Sequence, residues 1–169
     1  MNKAVFLDRD GVLNYDSGYV HKPEDLQVLP GVPEALAALA AAGFILLVVS
    51  NQSGIERGYF TQEKETQFTV ALGQEIEELG GPPIKGWLSC PHTSCDWRKP
   101  NPGMLQYAAQ IHNINLSRSY MVGDKMSDFE AGEAAGCAAS FKVMANTNGL
   151  QSVVHKILEI DHDLQEASE

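Results

Sequence analysis

The chain has 169 residues, and its 22 acidic and 12 basic side chains give a formal net charge of −10. This length suits one domain with a normal core, which we place over residues 1–169. The excess of acidic side chains disfavours nucleic acid as a binding partner, because binding to a phosphate backbone requires clustered Lys and Arg. The first residues carry no charged-then-apolar leader, and no apolar run approaches membrane-spanning length. We therefore expect a cytoplasmic protein with no membrane partner and, without an apolar surface stripe, a monomer.

The predicted elements alternate between strand and helix. Apolar runs predict buried strands over residues 4–7, 44–49, 84–88, 120–122 and 138–143. Apolar residues at helical spacing predict helices that begin near residues 31, 61, 101, 127 and 150, with Asn101 and Ser127 as the predicted caps of the third and fourth.

The segments between these elements are short. Residues 11–30 are a loop or small flap, and the acidic tail after Ile160 is expected to fray. The alternation implies a parallel sheet with helices on both faces. The expected fold class is therefore α/β, a doubly wound Rossmann-like sheet with only a minimal flap as a cap.

Two carboxylates, Asp8 and Asp10, directly follow the first predicted strand. Burying charge beside an apolar strand is costly unless a cation or a reaction needs it there, although Asp-Gly is also a common turn dipeptide. Sites in open α/β sheets form just past the carboxyl ends of the strands. Further reactive residues follow the other strands at the same edge of the sheet: Ser50, Asn51, Lys99, Asp124 and Asp128.

These residue types suit phosphoryl transfer. Converging carboxylates repel by about 4 kcal/mol for unit charges 4 Å apart at an effective dielectric of 20, and oxygen-liganded Mg²⁺ relieves that repulsion. One carboxylate can attack phosphorus while a second carries the proton. A Ser hydroxyl and a Lys ammonium suit the transferring phosphoryl oxygens.

Four motifs, in this order and on these elements, resemble the haloacid dehalogenase superfamily over about residues 3–145. The first and last are Asp8-Arg9-Asp10-Gly11 and Gly123-Asp124-Lys125-Met126-Ser127-Asp128. The other two resemble the D-glycero-D-manno-heptose 1,7-bisphosphate 7-phosphatases and the related histidinol-phosphate phosphatases. They are Val49-Ser50-Asn51-Gln52-Ser53-Gly54 and Arg98-Lys99-Pro100-Asn101-Pro102-Gly103-Met104.

The resemblance implies a division of labour among the acidic residues. Asp8 is the implied nucleophile, which forms an aspartyl-phosphate. Asp10 is the implied general acid and then base. Asp8, the backbone carbonyl of Asp10 and Asp124 are the implied Mg²⁺ ligands, and Asp128 is implied to support the metal site without contacting the ion.

The resemblance also implies how substrate is bound. Ser50 and Lys99 are implied to stabilise the phosphoryl group, and Arg98 to sense the second phosphate or another remote group of the substrate. Arg57 stays open between a surface residue and a site residue. Substrate contacts are implied for Asp16, Ser17, Gly18, Tyr19, Asn51, Gln52, Ser53, Arg98 and Lys125.

The loop over residues 90–98 departs from its relatives, which carry four ligands of a structural zinc site. Trp97 stands at the position of the fourth ligand, and the spacer is shortened. Zinc could be held with Asp96 or water completing the shell, or the loop could be a shortened one that is ordered by packing of Trp97. Structural zinc is nearly always four-coordinate, which favours the second interpretation. The ligands present are Cys90, His92 and Cys95.

The leading hypothesis is a Mg²⁺-dependent phosphatase acting on a small phosphorylated sugar, with a heptose 1,7-bisphosphate as the first choice. Histidinol phosphate and other sugar phosphates are the alternative substrates. A receiver-type phosphoacceptor domain is the alternative from another class. Receiver domains keep their phosphoacceptor on the third strand, whereas the paired acids here follow the first.

Overall fold

The computed structural model describes residues 1–167, and a five-stranded parallel sheet forms its centre. The strands lie side by side in the order β3-β2-β1-β4-β5, so the chain moves outward first on one side of β1 and then on the other. The predicted doubly wound α/β class is confirmed. The strands are β1 (Lys3–Leu7), β2 (Phe44–Asn51), β3 (Gly86–Cys90), β4 (Tyr120–Gly123) and β5 (Ala139–Lys142).

Helices cover both faces of the sheet. Helices α1, α2 and α5 contribute to the core on one face, and α3 and α4 contribute to the core on the other. Among the helices of residues 1–167, none is both long enough and apolar enough to cross a membrane. The helices are α1 (Val32–Ala41), α2 (Gln62–Glu78), α3 (Gly103–Ile111), α4 (Met126–Ala135) and α5 (Gly149–Glu166).

The central strand β1 shows why the sheet needs both layers. Val5 and Leu7 belong to the core beneath α1, α2 and α5, whereas Ala4 and Phe6 belong to the core beneath α3 and α4. All four side chains are 0% exposed. Because successive side chains of a strand point to opposite faces, the residues that follow β1 leave the sheet on alternate sides.

The predicted flap, residues 11–30, is a short excursion anchored by apolar side chains. Val12, Leu13, Val20 and Leu29 are buried in the core. Isolated bridges join Asn14 to Asp10 and to Val28, and a single 3-10 turn covers Pro23–Asp25.

Two helix starts differ from the sequence prediction. Ser127 lies inside α4, whose first turn is closed by Asp128 Oδ2 accepting from the backbone N–H of Lys125 at 3.0 Å. Asn101 does not cap α3, because its side-chain amide donates instead to the Cys95 carbonyl at 2.9 Å. The capping box between Lys125 and Asp128 thus places the N-cap of α4 two residues before Ser127, and a contact six residues back takes the Asn101 side chain.

The predicted fraying after Ile160 is wrong, because α5 continues to Glu166. Asp161 explains the difference: it is 4% exposed and accepts from Lys3 Nζ at 2.6 Å and from Arg118 Nη2 at 2.9 Å. The acidic tail is therefore held against the amino end of β1 by charge pairing. Residues 168–169 of the predicted tail lie outside the described residues.

Substituting Asp161→Asn is expected to lower the free energy of unfolding by about 2 kcal/mol, because two partly exposed cations lose their shared carboxylate. Urea unfolding measures this change. Asp163→Asn is the matched control on the same helix, since the Asp163 side chain is 75% exposed. An Asp161→Asn protein as stable as the unsubstituted chain would contradict the assignment.

Candidate active site

The carboxyl edge of the sheet brings two carboxylates onto one buried ammonium group. Asp8 follows β1, Asp128 lies in the first turn of α4, and Lys99 lies in the loop after β3. Lys99 Nζ donates to Asp8 Oδ1 at 2.8 Å, to Asp128 Oδ1 at 2.5 Å and to the Val49 carbonyl at 2.7 Å. All three ammonium hydrogens are thus used, and Lys99 is a buried counterion of the site.

The protonation of Asp8 follows from this contact. Burial raises the pKa of Asp8, but the Lys99 ammonium, a hydrogen bond from Asp124 and the backbone N–H of Arg9 together bring it below its ordinary value. Burial lowers the pKa of Lys99, and the charges of Asp8 and Asp128 raise it above the ordinary value. Asp8 is therefore an ionised carboxylate, the form in which a carboxylate is nucleophilic.

Asp124, just past β4, is the third carboxylate of the site, and the Lys99 ammonium has no hydrogen left to donate to it. Within residues 1–167 its Oδ1 is buried without a hydrogen-bond partner, and carboxylate oxygens of Asp8, Asp124 and Asp128 lie within 4.8 Å of one another. Burial, a hydrogen bond with Asp8 and the charges of Asp8 and Asp128 raise the pKa of Asp124 to about 7. An orphaned oxygen in an oxygen-only cluster fits a hard divalent cation such as Mg²⁺.

Two glycines leave room for these carboxylates. Gly11 has a φ of +84°, and a Cβ atom there would lie 2.9 Å from Asp124 Oδ2. A Cβ atom at Gly123 would lie only 2.1 Å from the Cβ of Asp128. The glycines of the first and fourth motifs are therefore required by close approach of the acidic side chains.

Asp10 faces a separate set of donors. Its carboxylate accepts from Arg9 Nε at 2.8 Å and Arg9 Nη2 at 3.1 Å, from Asn14 Nδ2 at 3.1 Å and from Gln52 Nε2 at 3.0 Å. Four donors use the acceptor capacity of a carboxylate. The side chain of Asp10 is held in place from the β1 end, the flap and the loop after β2.

Asn51 joins the loop after β2 to the loop after β3. Its side-chain amide donates to the Lys99 carbonyl at 2.9 Å and accepts from the Lys99 N–H at 3.0 Å. The paired bonds fix the backbone of Lys99, whose ammonium then reaches Asp8. Asn51, expected to contact substrate, thus also positions the lysine.

A cavity of about 500 Å³ is bounded by these residues and by cationic side chains. Arg57, which the sequence left open, lines the cavity together with Arg98 and Lys125. Within an acidic protein, this local concentration of cations suits an anionic substrate. The predicted residues that line the cavity are Asp8, Asp10, Asp16, Gly18, Tyr19, Asn51, Gln52, Ser53, Arg98, Lys99, Lys125 and Asp128.

Asp124 is not part of this lining but lies in the carboxylate cluster with Asp8 and Asp128, whereas Ser50 and Ser17 are placed elsewhere. Ser50 is buried, and its hydroxyl accepts from Gln52 Nε2 at 2.7 Å; it lines a smaller cavity of about 290 Å³ under α2. The pleat explains this, because Ser50 and Asn51 are consecutive and point to opposite faces of β2. Ser17 is exposed on the flap and does not line the main cavity.

The flap is held over the site by a residue that sequence reasoning missed. Asn146, in the loop after β5, accepts from the Asp16 N–H at 2.7 Å and donates to the Asp16 carbonyl at 3.0 Å. The rings of Tyr19 and Tyr59 meet edge to face at 4.8 Å, which joins the flap to the loop after β2. A single Asn in a polar loop carries no sequence signal for this contact.

The loop over residues 90–98 brings two of the three predicted zinc ligands together. Cys90 Sγ and Cys95 Sγ lie 2.9 Å apart, but the His92 ring faces Glu56, with Nδ1 3.6 Å from Oε1. These side chains are not among the groups of possible metal ligands found in residues 1–167. Trp97 packs against Tyr107 with ring centroids 5.0 Å apart.

Comparisons with known proteins agree with this geometry. Residues 96–144 match the HAD-hydrolase-like family. A D-glycero-beta-D-manno-heptose-1,7-bisphosphate 7-phosphatase of Haemophilus ducreyi is 45% identical over 154 residues, covering 86% of this chain and 84% of the relative. The Vibrio cholerae phosphatase of the same name is 44% identical over 83% of this chain and 80% of the relative. A D,D-heptose 1,7-bisphosphate phosphatase structure from B. bronchiseptica, complexed with magnesium and phosphate, is similar with a TM-score of 0.82 and 30% identity, over 93% of this chain and 98% of that one.

The fold and the aspartate–lysine site define a phosphatase of the HAD-like class, as the motifs predicted. The receiver-type alternative is wrong, since such domains order their strands 2-1-3-4-5 and this sheet runs β3-β2-β1-β4-β5. The chain belongs to the family of the D-glycero-beta-D-manno-heptose-1,7-bisphosphate 7-phosphatases.

Without divalent metal, the stability of the folded protein should fall as the pH rises from about 4 to about 7. The pKa of Asp124 is raised from 3.8 to about 7, so in that interval the folded state holds a proton that the unfolded state has released. The lowered pKa of Asp8 acts below this interval. Mg²⁺ competes with the proton of Asp124. The rise in thermal midpoint that Mg²⁺ produces should therefore grow across the same interval.

Thermal unfolding with and without Mg²⁺ at several pH values measures this increment. Asp124→Asn is the control, because an amide neither titrates nor supplies a charged ligand, and its increment should be small at every pH. An increment that does not change with pH in the unsubstituted protein would contradict the charge balance assigned to Asp124.

Proposed function

We propose that this phosphatase removes the 7-phosphate of D-glycero-D-manno-heptose 1,7-bisphosphate, through an aspartyl-phosphate on Asp8 and with Mg²⁺ as cofactor. The observation that carries the proposal is the ionised Asp8, paired with buried Lys99 and bordered by the unbalanced Asp124, in a cavity lined by further cations. The printed names of the relatives support the choice of substrate.

The first half-reaction uses two carboxylates. An Asp8 oxygen attacks the phosphorus of the 7-phosphate, the new P–O bond forms, and the bond from phosphorus to the sugar oxygen breaks. Asp10, once it has exchanged one of its four donors for a proton, gives that proton to the departing sugar oxygen. Asp8, Asp124 and the backbone carbonyl of Asp10 would hold Mg²⁺, which when bound neutralises charge on the phosphoryl oxygens.

The second half-reaction returns the enzyme to its starting state. Asp10, now ionised, takes a proton from water as the water oxygen attacks the phosphorus of the aspartyl-phosphate. The bond from phosphorus to the Asp8 oxygen breaks, and inorganic phosphate leaves. Lys99 stays beside the Asp8 carboxylate in both halves and stabilises the charge that returns to it.

The cations that line the cavity support a substrate with two phosphates. Arg57, Arg98 and Lys125 line it together with the catalytic carboxylates. A bisphosphate can place its second phosphate among these cations. Histidinol phosphate instead carries an ammonium group at the end remote from its phosphate, which these three cations repel and which Asp16 alone, among the lining acids without a proposed catalytic or metal-site role, attracts. The lining thus favours the heptose bisphosphate over the related alternative.

The substrate is tested by initial rates with Mg²⁺ on the β and α anomers of the bisphosphate, on heptose 7-phosphate and on histidinol phosphate. We expect the β-bisphosphate to have the highest kcat/KM. Loss of the second phosphate should lower kcat/KM about tenfold or more, since one charge-assisted contact is worth about 1.5–3 kcal/mol. A kcat/KM for histidinol phosphate that equals or exceeds that for the bisphosphate would overturn the proposed substrate.

The roles of the two carboxylates are tested with isosteric amides. Asp8→Asn should lower kcat by about 10⁴-fold or more, because no nucleophile remains. Asp10→Asn should lower kcat by about 10²- to 10⁴-fold, the usual worth of a positioned proton carrier. Asp161→Asn, at the opposite edge of the sheet, is the control and should keep its kcat. An active Asp8→Asn protein would contradict the nucleophile assignment.

A further inference from the structure

Arg9 lies between Asp8 and Asp10 in the sequence, but it has no part in the reaction steps proposed above. Its side chain is 1% exposed. The guanidinium donates two parallel hydrogen bonds to the Asp10 carboxylate, from Nε to Oδ1 at 2.8 Å and from Nη2 to Oδ2 at 3.1 Å. Such a planar fork fixes both the position and the plane of a carboxylate, which an ammonium group cannot do.

The far side of the guanidinium is held by helix α2. Arg9 Nη1 donates to Glu65 Oε1 at 3.2 Å, and the guanidinium lies 4.7 Å from the centre of the Phe68 ring. Glu65 is 6% exposed and also accepts from Gln62 Nε2 and Thr69 Oγ1, each at 3.0 Å. The orientation of Arg9 is therefore set by Glu65, which is 56 positions away in sequence, together with the Val20 carbonyl, which accepts from Nη2 at 3.2 Å.

Stability alone does not account for this arrangement. A buried ion pair can often be replaced by apolar side chains of similar volume with no loss of stability. Phe68 packs against the guanidinium, and Val48 lines a cavity together with Arg9 and Glu65, so apolar neighbours are present for such a replacement. What an apolar pair would lack is the fork on Asp10, the one group here whose direction matters for proton transfer.

We infer that Arg9 and Glu65 are positioning residues for the proton-transfer steps: Glu65 orients Arg9, and Arg9 aims the Asp10 carboxylate into the cavity. The inference rests on the proposed role of Asp10 as acid and base. Neither residue lines the main cavity. Asn14 and Gln52 complete the donor set of Asp10 but leave its plane to Arg9.

The test uses leaving groups that differ in their need for a proton. A sugar alkoxide requires protonation by Asp10, whereas p-nitrophenolate leaves without it, and hydrolysis of the aspartyl-phosphate requires Asp10 in both cases. For Arg9→Lys we expect kcat on the heptose bisphosphate to fall about 10- to 100-fold with KM within about twofold. With p-nitrophenyl phosphate we expect a burst approaching one nitrophenolate per site, followed by slow turnover.

Folding is separated from positioning by a double variant. Arg9→Met leaves Glu65 buried without a counterion and should be unstable. Arg9→Met with Glu65→Leu removes both charges, so its thermal midpoint should return close to that of the unsubstituted protein while kcat stays low. Asp161→Asn is the matched control, because it removes a buried carboxylate from its partly exposed cations at the opposite edge of the sheet, and it should lower stability and leave kcat and the burst unchanged.

Two results would overturn the inference. One is a double variant of normal stability that turns over at the normal rate. The other is an Arg9→Lys protein whose burst falls in proportion to its kcat, which indicates inactive protein rather than a misplaced carboxylate. If Asp10→Asn loses turnover but Arg9→Lys does not, only this inference fails. If Asp10→Asn keeps normal turnover, the proposed role of Asp10 fails first.

Discussion

One buried ammonium group, that of Lys99, is the interaction on which the rest of the site depends. It contacts two carboxylates directly, and a third lies within 4.8 Å of both, so the site holds more negative than positive charge. At an effective dielectric of 20, each like-charge contact at 4 Å costs about 4 kcal/mol. The raised pKa of Asp124 offsets part of this imbalance, because a protonated Asp124 adds no charge. In the proposed mechanism a divalent cation would offset the rest.

Parallel strands make this concentration of charge accessible, and loop contacts make it rigid. The carboxyl ends of β1 and β4 flank the point where the strand order reverses, so Asp8 and Asp124 meet there. The loop that carries Lys99 is then tied to the loop after β2. Asn51 bonds the Lys99 backbone, and Glu56 Oε2 accepts from the Thr93 N–H at 2.5 Å. These bonds order a loop whose zinc ligands are incomplete.

The sequence was sufficient for the strands, the acidic motifs and the sheet edge, because buried parallel strands are apolar runs and the acids follow them directly. It was insufficient where a partner is remote. Glu65 lies 56 residues from Arg9, and Asp161 lies 158 residues from Lys3. No local pattern marks such pairs. Ser50 illustrates another limit, because the face of the sheet on which its side chain lies depends on the pleat at the last residues of β2.

The alternation of side chains at the end of β1 gives each catalytic carboxylate its own counterion. The Asp8 side chain lies on the side of Lys99 and α4. The Arg9 side chain lies on the other face against α2, and its guanidinium also donates to the Asp10 carboxylate. In the proposed mechanism Asp10 gains and loses a proton in every turnover, while Asp8 stays ionised to attack. If one cation served both carboxylates, each proton transfer at Asp10 would change the charge balance at Asp8. Two cations on opposite faces of one strand keep these requirements apart.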